Sequence, residues 1–211
     1  MDKNIKQIIF DMGNVLIEWD AKKIIAAIES DPKRQETLFQ TIMESGIWEQ
    51  QDSGELAIER ASRLVKDQLD ESYEPAIDKV FYRWFDYVKV NTQLQDYAIR
   101  LKHQGYALYI LSNTSEIYYQ LVKEGKLPIA QVLSGKVLSF EENRMKPDPK
   151  IFRLLCERYG LDAKACLYVD DLQQNVLVAQ SLGMSVLQCH DFPQVLEDLQ
   201  LMLKRKGFFH S

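Results

Sequence analysis

Three carboxylates directly follow short apolar stretches that have the composition of buried strands. Asp11 follows residues 8–10, and the adjacent Asp170 and Asp171 follow residues 167–169. An Asp after a strand most often shapes a turn, and Asp11 taken alone is interpreted in that way. Two neighbouring carboxylates repel each other unless a cation or a hydrogen-bond donor lies nearby, although an exposed turn tolerates them. The pair therefore indicates a candidate site for a hard divalent cation.

A hydroxyl group and a lysine, Ser112 and Lys146, are further candidates for the same site. Ser112 and Asn113 come after the apolar run 106–111, and Lys146 precedes Pro147. Because a residue before proline is disfavoured in the helical region, we expect Lys146 to be extended in front of a helix. A carboxylate nucleophile, a cation, a hydroxyl group beside backbone N–H groups and a lysine are together the parts that phosphoryl transfer needs.

Each of these residues also has a purely structural interpretation. A single lysine such as Lys146 is most often solvated, and Ser112 fits a strand-end hydroxyl group or a helix N-cap. Asn175, four residues after Asp171, fits either a group that orients a neighbour or the start of a helix. The chemical interpretation depends on whether the fold brings the whole set together.

Strand-like and helix-like stretches alternate over most of the chain. Strands are predicted within residues 1–15 and at 106–111, 136–139, 165–169 and 185–188. Helices are predicted over about 91–103, 115–124, 149–159, 175–182 and 195–203. This alternation is typical of a doubly wound parallel sheet, in which the carboxyl ends of the strands meet at one edge. We therefore expect the polar residues that follow the strands to converge there.

The segment between residues 21 and 90 has a different pattern. Its apolar residues recur every three or four positions in four groups, at 24–28, 38–43, 57–65 and 77–88. This spacing is typical of helices that bury one face, so four antiparallel helices are predicted.

Two sequence features fit helix starts in this segment, and its limits define the predicted domains. Asp31 before Pro32 fits an N-cap, and Asp52 three residues before Glu55 fits a weak capping box. Residues 16–20 are predicted to be a connecting flap. The predicted domains are an α/β domain, residues 1–15 and 91–211, and an inserted helical domain, residues 16–90.

The composition excludes several classes of protein. It contains 46% hydrophobic and 27% charged residues, as in ordinary globular proteins, and its net charge of −5 favours neither nucleic acid nor a membrane as a partner. Cys156, Cys166 and Cys189 lack zinc-site or disulfide spacing and are expected to be reduced core residues. We expect a cytoplasmic monomer without a signal peptide, whose basic and aromatic tail, residues 204–211, is a solvated or packed terminus.

Four motifs in order along the chain resemble those of one enzyme family. They are Phe-Asp-Met-Gly-Asn-Val around Asp11, Leu-Ser-Asn-Thr around Ser112, Lys-Pro-Asp-Pro from Lys146, and Asp170-Asp171 with Asn175. The set resembles the haloacid dehalogenase-like (HAD) phosphohydrolases, in which a cap is inserted between the first two motifs. The resemblance implies a Rossmann-like core with a helical cap at residues 16–90. It also implies a magnesium-dependent phosphatase of small phosphorylated metabolites, sugar phosphates among them, that forms an aspartyl-phosphate on Asp11.

The resemblance also assigns roles to individual residues. Mg²⁺ would be held by the Asp11 carboxylate, the Gly13 backbone carbonyl group and Asp171, with Asp170 assisting directly or through water. The phosphoryl group would be bound by Ser112, the Asn113 backbone and Lys146. Asn14 and Asn175 are assigned supporting roles.

One residue departs from the family pattern. Most phosphatases of the family carry a second Asp, the general acid and base, at the position of Gly13 in this chain. Losing such a group costs about 10²–10⁴ in rate when the leaving group is poor. The Asp-x-Gly-Asn form resembles a subgroup that includes sugar-1-phosphate phosphatases and the epoxide-hydrolase-associated phosphatase domain.

Two explanations of this departure are open. Either the substrate leaves easily, as an anomeric or acyl phosphate does, or a carboxylate of the cap or a water molecule supplies the proton. The candidate substrate and cap residues are Glu18, Trp19, Asp20, Trp48, Glu49 and Asp52. For each of them alone, surface charge or cap packing is the simpler interpretation.

Three other functions compete with a phosphatase. A 2-haloacid dehalogenase shares the scaffold and works without a metal, but the Asp170-Asp171 pair argues against it. A catalytically weak HAD-like scaffold that only binds a metabolite or protein conflicts with the intact Asp11 and Lys146. A response-regulator receiver domain also combines acids and a lysine, but has no helical insertion of this size.

Overall fold

The computed structural model describes residues 5–204, so residues 1–4 and the predicted tail after Lys204 lie outside the described residues. Its strands are β1 (Gln7–Phe10), β2 (Ala107–Ser112), β3 (Gly135–Leu138), β4 (Cys166–Asp170) and β5 (Ser185–Gln188). The helices before β2 are α1 (Ala21–Ile28), α2 (Pro32–Phe39), α3 (Ile47–Asp52), α4 (Ile58–Lys66), α5 (Glu74–Tyr82) and α6 (Thr92–His103). The later helices are α7 (Ile117–Lys123), α8 (Ser139–Glu142), α9 (Pro149–Tyr159), α10 (Gln173–Ser181) and α11 (Phe192–Lys204).

The five strands form one parallel sheet in the order β3-β2-β1-β4-β5. The central strand β1 is buried on both faces, with Ile8 and Phe10 in one apolar cluster and Ile9 in the other. Successive side chains of a strand point to opposite faces, and such strands are therefore apolar throughout. The predicted doubly wound α/β core is confirmed.

The strand order places the first and fourth strands side by side. Phe10 of β1 pairs with Val169 of β4. The next residue of each strand end, Asp11 and Asp170, therefore lies at the same edge of the sheet. From β1 the chain builds the sheet toward β2 and β3, and from β4 it builds toward β5. The junction between the two directions is the place where open α/β sheets bind ligands.

The insertion contains more helices than the sequence predicted. Five α-helices lie between Ala21 and Tyr82, not four. The missed helix, α3, has six residues and buries only Ile47 and Gln51, so it shows no apolar repeat. The helix predicted from the last apolar group, residues 77–88, also ends early, because a 3₁₀ turn at Trp84–Asp86 follows α5.

The two predicted helix caps had different outcomes. Asp31 accepts hydrogen bonds from the first turn of α2, as predicted. Asp52 caps no helix start, because it is the last residue of α3, and α4 begins after Ala57. The prediction of a capping box at Asp52 was therefore wrong.

The insertion joins the sheet through two neighbouring segments. The Glu18 N–H donates to Lys89 O at 2.8 Å, and the Asn91 N–H donates to Leu16 O at 2.9 Å. Residues between Ile25 and Phe81 form an apolar cluster of their own, whereas Trp84 and Phe85 pack into a cluster of the sheet. We retain the division into residues 16–90 and the rest of the chain as a proposal.

A close backbone contact fixes the end of α3 against the core. Gly54 has a φ of 82°, and a Cβ atom there would lie 2.3 Å from the carbonyl oxygen of Phe140 in α8. Only glycine combines this conformation with this approach.

Replacement of this glycine gives a stability prediction. We expect Gly54→Ala to lower the free energy of unfolding by more than about 1 kcal/mol, because it adds both a clash and a strained φ. The matched control is Gly13→Ala, whose added Cβ atom would come no closer than 3.7 Å to another residue. Urea unfolding of both variants checks this, and equal stabilities would contradict it.

Candidate active site

The carboxylate of Asp11 lies at the end of β1 and is 6% exposed. Its Oδ1 accepts hydrogen bonds from the Met12 N–H at 2.6 Å and lies 2.8 Å from Lys146 Nζ. Its Oδ2 receives no hydrogen bond from any described residue. One oxygen is therefore fixed while the other is available for attack or for a metal ion.

The ammonium group of Lys146 is buried between two carboxylates. Nζ lies 2.8 Å from Asp11 Oδ1 and 2.7 Å from Asp170 Oδ2, and the residue is only 4% exposed. Burial by itself would lower the pKa of Lys146, but Asp11 and Asp170 outweigh it and raise the pKa. Lys146 is thus a charged component of the site and not a solvated surface lysine.

A pair of backbone contacts holds this lysine in place. The side chain of Asn113 donates to Lys146 O at 2.9 Å and accepts from the Lys146 N–H at 2.8 Å. We call these two hydrogen bonds the Asn113 clamp. Because Asn113 follows β2, the clamp links the end of β2 to the loop that carries Lys146. The sequence predicted only a backbone role for Asn113, and this side-chain role was missed.

Asp170 is fully buried and its two oxygens accept hydrogen bonds from four groups. The donors are Lys146 Nζ, the Tyr168 hydroxyl group, the Leu172 N–H and Asn175 Nδ2. These donors explain how two adjacent carboxylates are tolerated after a buried strand. They also give Asn175 the orienting function that the sequence left open.

Asp171 is half-buried and connects the sheet edge to the insertion. Asn14 Nδ2 donates to Asp171 Oδ2 at 3.0 Å, while Asn14 Oδ1 accepts from the Trp19 N–H at 2.8 Å. Asn14 has a φ of 52°, a left-handed conformation that Asn adopts more readily than most residues. It therefore orients Asp171 and the start of the insertion together.

The three carboxylates fit a divalent cation. Asp11, Asp170 and Asp171 each offer one oxygen, and these oxygens lie within 4.8 Å of one another. Burial raises the pKa of Asp11 to about 7, an effect that the other two carboxylates reinforce and Lys146 opposes. Burial also raises the pKa of Asp171. Such crowding of acidic oxygens is the donor set that Mg²⁺ prefers.

The site opens into a cavity of about 230 Å³ between the sheet edge and the insertion. The lining residues from the core include Asp11, Gly13, Asn14, Asn113, Thr114, Lys146, Asp171 and Asn175. The insertion and its connections contribute Trp19, Trp48, Asp52 and Trp84. Thr114 and Trp84 were not predicted to line the site: Thr114 ends the Leu-Ser-Asn-Thr motif but was assigned no role, and Trp84 stands in no motif.

Ser112 is the predicted catalytic residue that does not line the cavity. It is 1% exposed, and its hydroxyl group donates to Asn113 O at 3.3 Å. The cavity wall beyond β2 is formed instead by the next two residues, Asn113 and Thr114. A phosphate-binding role for Ser112 stays a prediction.

Of the four acids predicted to supply a proton, only Asp52 lines this cavity. Asp20 caps α1, where it accepts from the Lys23 N–H at 3.1 Å. Glu18 accepts from the Lys89 N–H at 3.2 Å and lines a neighbouring depression that shares Asn14 and Asp171 with the cavity. Glu49 lies in the first turn of α3 and is absent from the cavity wall. Glu18, Asp20 and Glu49 thus lie outside the wall of this cavity, and a substrate role for them stays a prediction.

The tryptophans predicted near the site form a connected group. The rings of Trp19 and Trp48 stack with centroids 4.8 Å apart, and Trp84 meets Trp19 edge-on at the same centroid distance. They present a largely apolar wall opposite the carboxylates.

The model of the haloacid dehalogenase-like hydrolase family matches residues 5–183. This chain belongs to that family. It is 24% identical over 207 residues to a D-ribitol-5-phosphate phosphatase from Bacteroides thetaiotaomicron, covering 94% of this chain and 98% of that protein. It is also 24% identical to a sesquiterpene phosphatase from Aspergillus oryzae, covering 90% and 93% of the two chains.

A solved structure shows the same fold. A HAD family enzyme from Bacteroides thetaiotaomicron, in complex with magnesium and inorganic phosphate, matches with a TM-score of 0.73 and 26% identity. The match covers 87% of this chain and 93% of that one. The predicted family and the predicted hydrolase class are confirmed, and the prediction of a HAD-like phosphatase agrees with the names of these relatives.

No helix within residues 5–204 is long and apolar enough to cross a membrane. Cys166 and Cys189 are buried and Cys156 is half-buried, and none of the three forms a disulfide. The cytoplasmic location and the monomeric state stay predictions.

The clamp on Lys146 gives a prediction for this HAD-family hydrolase. We expect Asn113→Ala to lower the free energy of unfolding by about 1–3 kcal/mol, because two hydrogen bonds to a half-buried backbone are lost. Asn113→Asp keeps the acceptor but sets a carboxylate oxygen against Lys146 O, so it is expected to be no more stable than Asn113→Ala. Urea unfolding checks both, and a loss below about 0.5 kcal/mol for Asn113→Ala would contradict the clamp.

Proposed function

We propose that this hydrolase is a magnesium-dependent phosphatase that removes phosphate from a small phosphorylated metabolite through an aspartyl-phosphate on Asp11. The observation that carries the proposal is the position of the Asp11 carboxylate, which lies 2.8 Å from Lys146 Nζ and lines the cavity. An Asp that only shaped a turn would need neither the buried lysine nor the two neighbouring carboxylates, Asp170 and Asp171.

The position of each residue determines its proposed role in the reaction. Asp11 Oδ2 attacks phosphorus, and the Asp11–phosphoryl bond is later broken by water. Lys146 offsets negative charge on the phosphoryl group, and it is already fixed by Asp11, Asp170 and Asn113 before substrate arrives. The backbone N–H groups beyond β2 and the Ser112 hydroxyl group are the proposed donors to the remaining phosphoryl oxygens.

Mg²⁺ would be held by Asp11, Asp171 and the Gly13 carbonyl group. Asp170 supports this set from behind, because its oxygens already accept hydrogen bonds from four donor groups. When bound, the cation supplies charge that screens the attacking carboxylate from the phosphoryl group. Gly13 keeps its backbone ligand in this arrangement, although it has no side chain.

The cavity supports a small substrate. Its volume of about 230 Å³ lies below the roughly 300–1,000 Å³ typical of pockets for drug-sized ligands. The stacked Trp19 and Trp48 offer an apolar face, which suits the carbon skeleton of a sugar or sugar alcohol. The relative named for D-ribitol 5-phosphate is consistent with this class, so we propose a sugar or sugar-alcohol phosphate.

Replacement of the nucleophile tests this proposal. We expect Asp11→Asn to abolish phosphate release, because an amide cannot form the covalent intermediate, and we expect a chelator to abolish wild-type activity until Mg²⁺ is restored. Asp67→Asn, an exposed acid at the end of α4, is the matched control and should retain full activity. The measurement is phosphate release from a panel of sugar phosphates.

Two outcomes would contradict the proposal. Halide release from 2-haloacids without metal would identify a dehalogenase. A folded wild-type protein that binds a phosphorylated metabolite but hydrolyses none with Mg²⁺ would identify a binding scaffold.

A further inference from the structure

The departure at Gly13 leaves the proposed phosphatase without its usual proton donor. Four titratable side chains line the cavity: Asp11, Lys146, Asp171 and Asp52. Asp11, Lys146 and Asp171 belong to the ion pairs and the proposed Mg²⁺ site at the sheet edge. Asp52, contributed by the insertion, lies outside that cluster and is the remaining acid of the cavity wall.

We propose that Asp52 is the catalytic acid and base of this enzyme, giving its proton to the departing oxygen and later removing one from water. This inference rests on the proposed phosphatase function and extends it, because it assigns a step that the core residues do not perform. It also explains how the insertion takes part in the chemistry and does not only cover the cavity.

The carboxyl group of Asp52 is oriented from within its own helix. Trp48 lies one turn earlier in α3, close enough for its side chain to favour the charged form of the Asp52 carboxyl group. Residues four positions apart share a helix face, so Trp48 and Asp52 face the cavity together. Glu49, on the neighbouring face of the helix, is excluded from the cavity wall.

The backbone of Asp52 is fixed to the phosphate side of the site. The hydroxyl group of Ser139, at the start of α8, donates to the carbonyl oxygen of Asp52. The same oxygen atom of Ser139 accepts from the Thr114 N–H at 2.9 Å. Thr114 lines the cavity directly after Asn113, so one buried hydroxyl group ties the proposed acid to the loop that holds Lys146. The close contact of Gly54 with Phe140 fixes the following turn as well.

The protonation state of Asp52 suits this role. Burial raises the pKa of Asp52 to about 7, an effect that the Trp48 side chain opposes and the nearby Glu49 reinforces. A general acid works best when its pKa is close to the working pH, because both protonation states are then accessible. The other charged groups of the cavity, Asp11, Lys146 and Asp171, lie on the wall formed by the core.

The proposed proton transfers balance over two steps. As Asp11 Oδ2 bonds to phosphorus and the ester P–O bond breaks, protonated Asp52 gives its proton to the leaving oxygen, which departs as an alcohol. Water then attacks phosphorus and gives a proton to the Asp52 carboxylate, the P–O bond to Asp11 breaks, and inorganic phosphate leaves. Asp11 and Asp52 return to their starting states.

The test compares the first turnover of two phosphate esters in wild type and Asp52→Asn. Phenyl phosphate has a poor leaving group that needs a proton, whereas 2,4-dinitrophenyl phosphate has one that does not. We expect the rate constant for the first release of phenol to fall about 10²–10⁴-fold in the variant. The first release of dinitrophenol is expected to change by less than about threefold, and to appear as a burst when the second step is slowed.

Controls separate this role from a structural one. Asp52→Ser, which also lacks an acidic proton, must show the same selectivity, and Glu55→Gln, an exposed acid in the same segment, must match wild type for both esters. Equal losses for the two esters, or no loss for phenyl phosphate, would overturn the role of Asp52 while leaving Asp11 as the nucleophile. A wild-type protein inert toward both esters with Mg²⁺ would overturn the phosphatase proposal, and this inference with it.

Discussion

The ammonium group of Lys146, buried between Asp11 and Asp170, is the interaction on which the rest of the site depends. Removing a charge from water costs several kcal/mol, and only close, well-placed partners offset that cost. Here the partners come from adjacent strands, so the lysine is stable in this position only if β1 and β4 are neighbours. The sheet order, the clamp by Asn113 and the hydrogen bonds around Asp170 all serve this arrangement. Because the charges are fixed in advance, a phosphoryl group meets a site that needs little reorganisation.

A second connection runs from this cluster into the insertion. Asn14 bonds Asp171 on one side and the Trp19 backbone on the other, so the carboxylate and the aromatic wall are positioned by one residue. Ser139 makes a comparable link between Thr114 and the end of α3. The cavity is therefore formed by the core and the insertion together, and hydrogen bonds close to Asp171 and Thr114 fix how the two parts are placed.

The sequence predicted the sheet and its polar edge well because both depend on local patterns. Apolar runs such as 8–10 and 167–169 identify strands without any knowledge of their neighbours, and parallel topology then brings their ends together. The burial of Lys146 was harder to predict, since no local pattern distinguishes it from a solvated lysine. Only its position within the set of four motifs indicated a role in the site.

The composition of the cavity could not be predicted from local patterns. Whether Glu49 or Asp52 faces the substrate depends on the rotation of a six-residue helix that carries no apolar repeat. Trp84 reaches the cavity through packing between segments that are distant in the sequence. The hydroxyl group of Ser112 points to a neighbouring carbonyl group, a detail that follows from the local backbone geometry after β2 and not from residue type.

The stereochemistry at phosphorus tests the central claim, covalent attack by Asp11, most directly. A thiophosphate ester made chiral with oxygen isotopes would be hydrolysed by the wild-type enzyme in isotopically labelled water, and the configuration of the released thiophosphate determined. Two successive in-line displacements, first by Asp11 and then by water, predict net retention of configuration. Net inversion, the result of a single direct attack by water, would contradict the account.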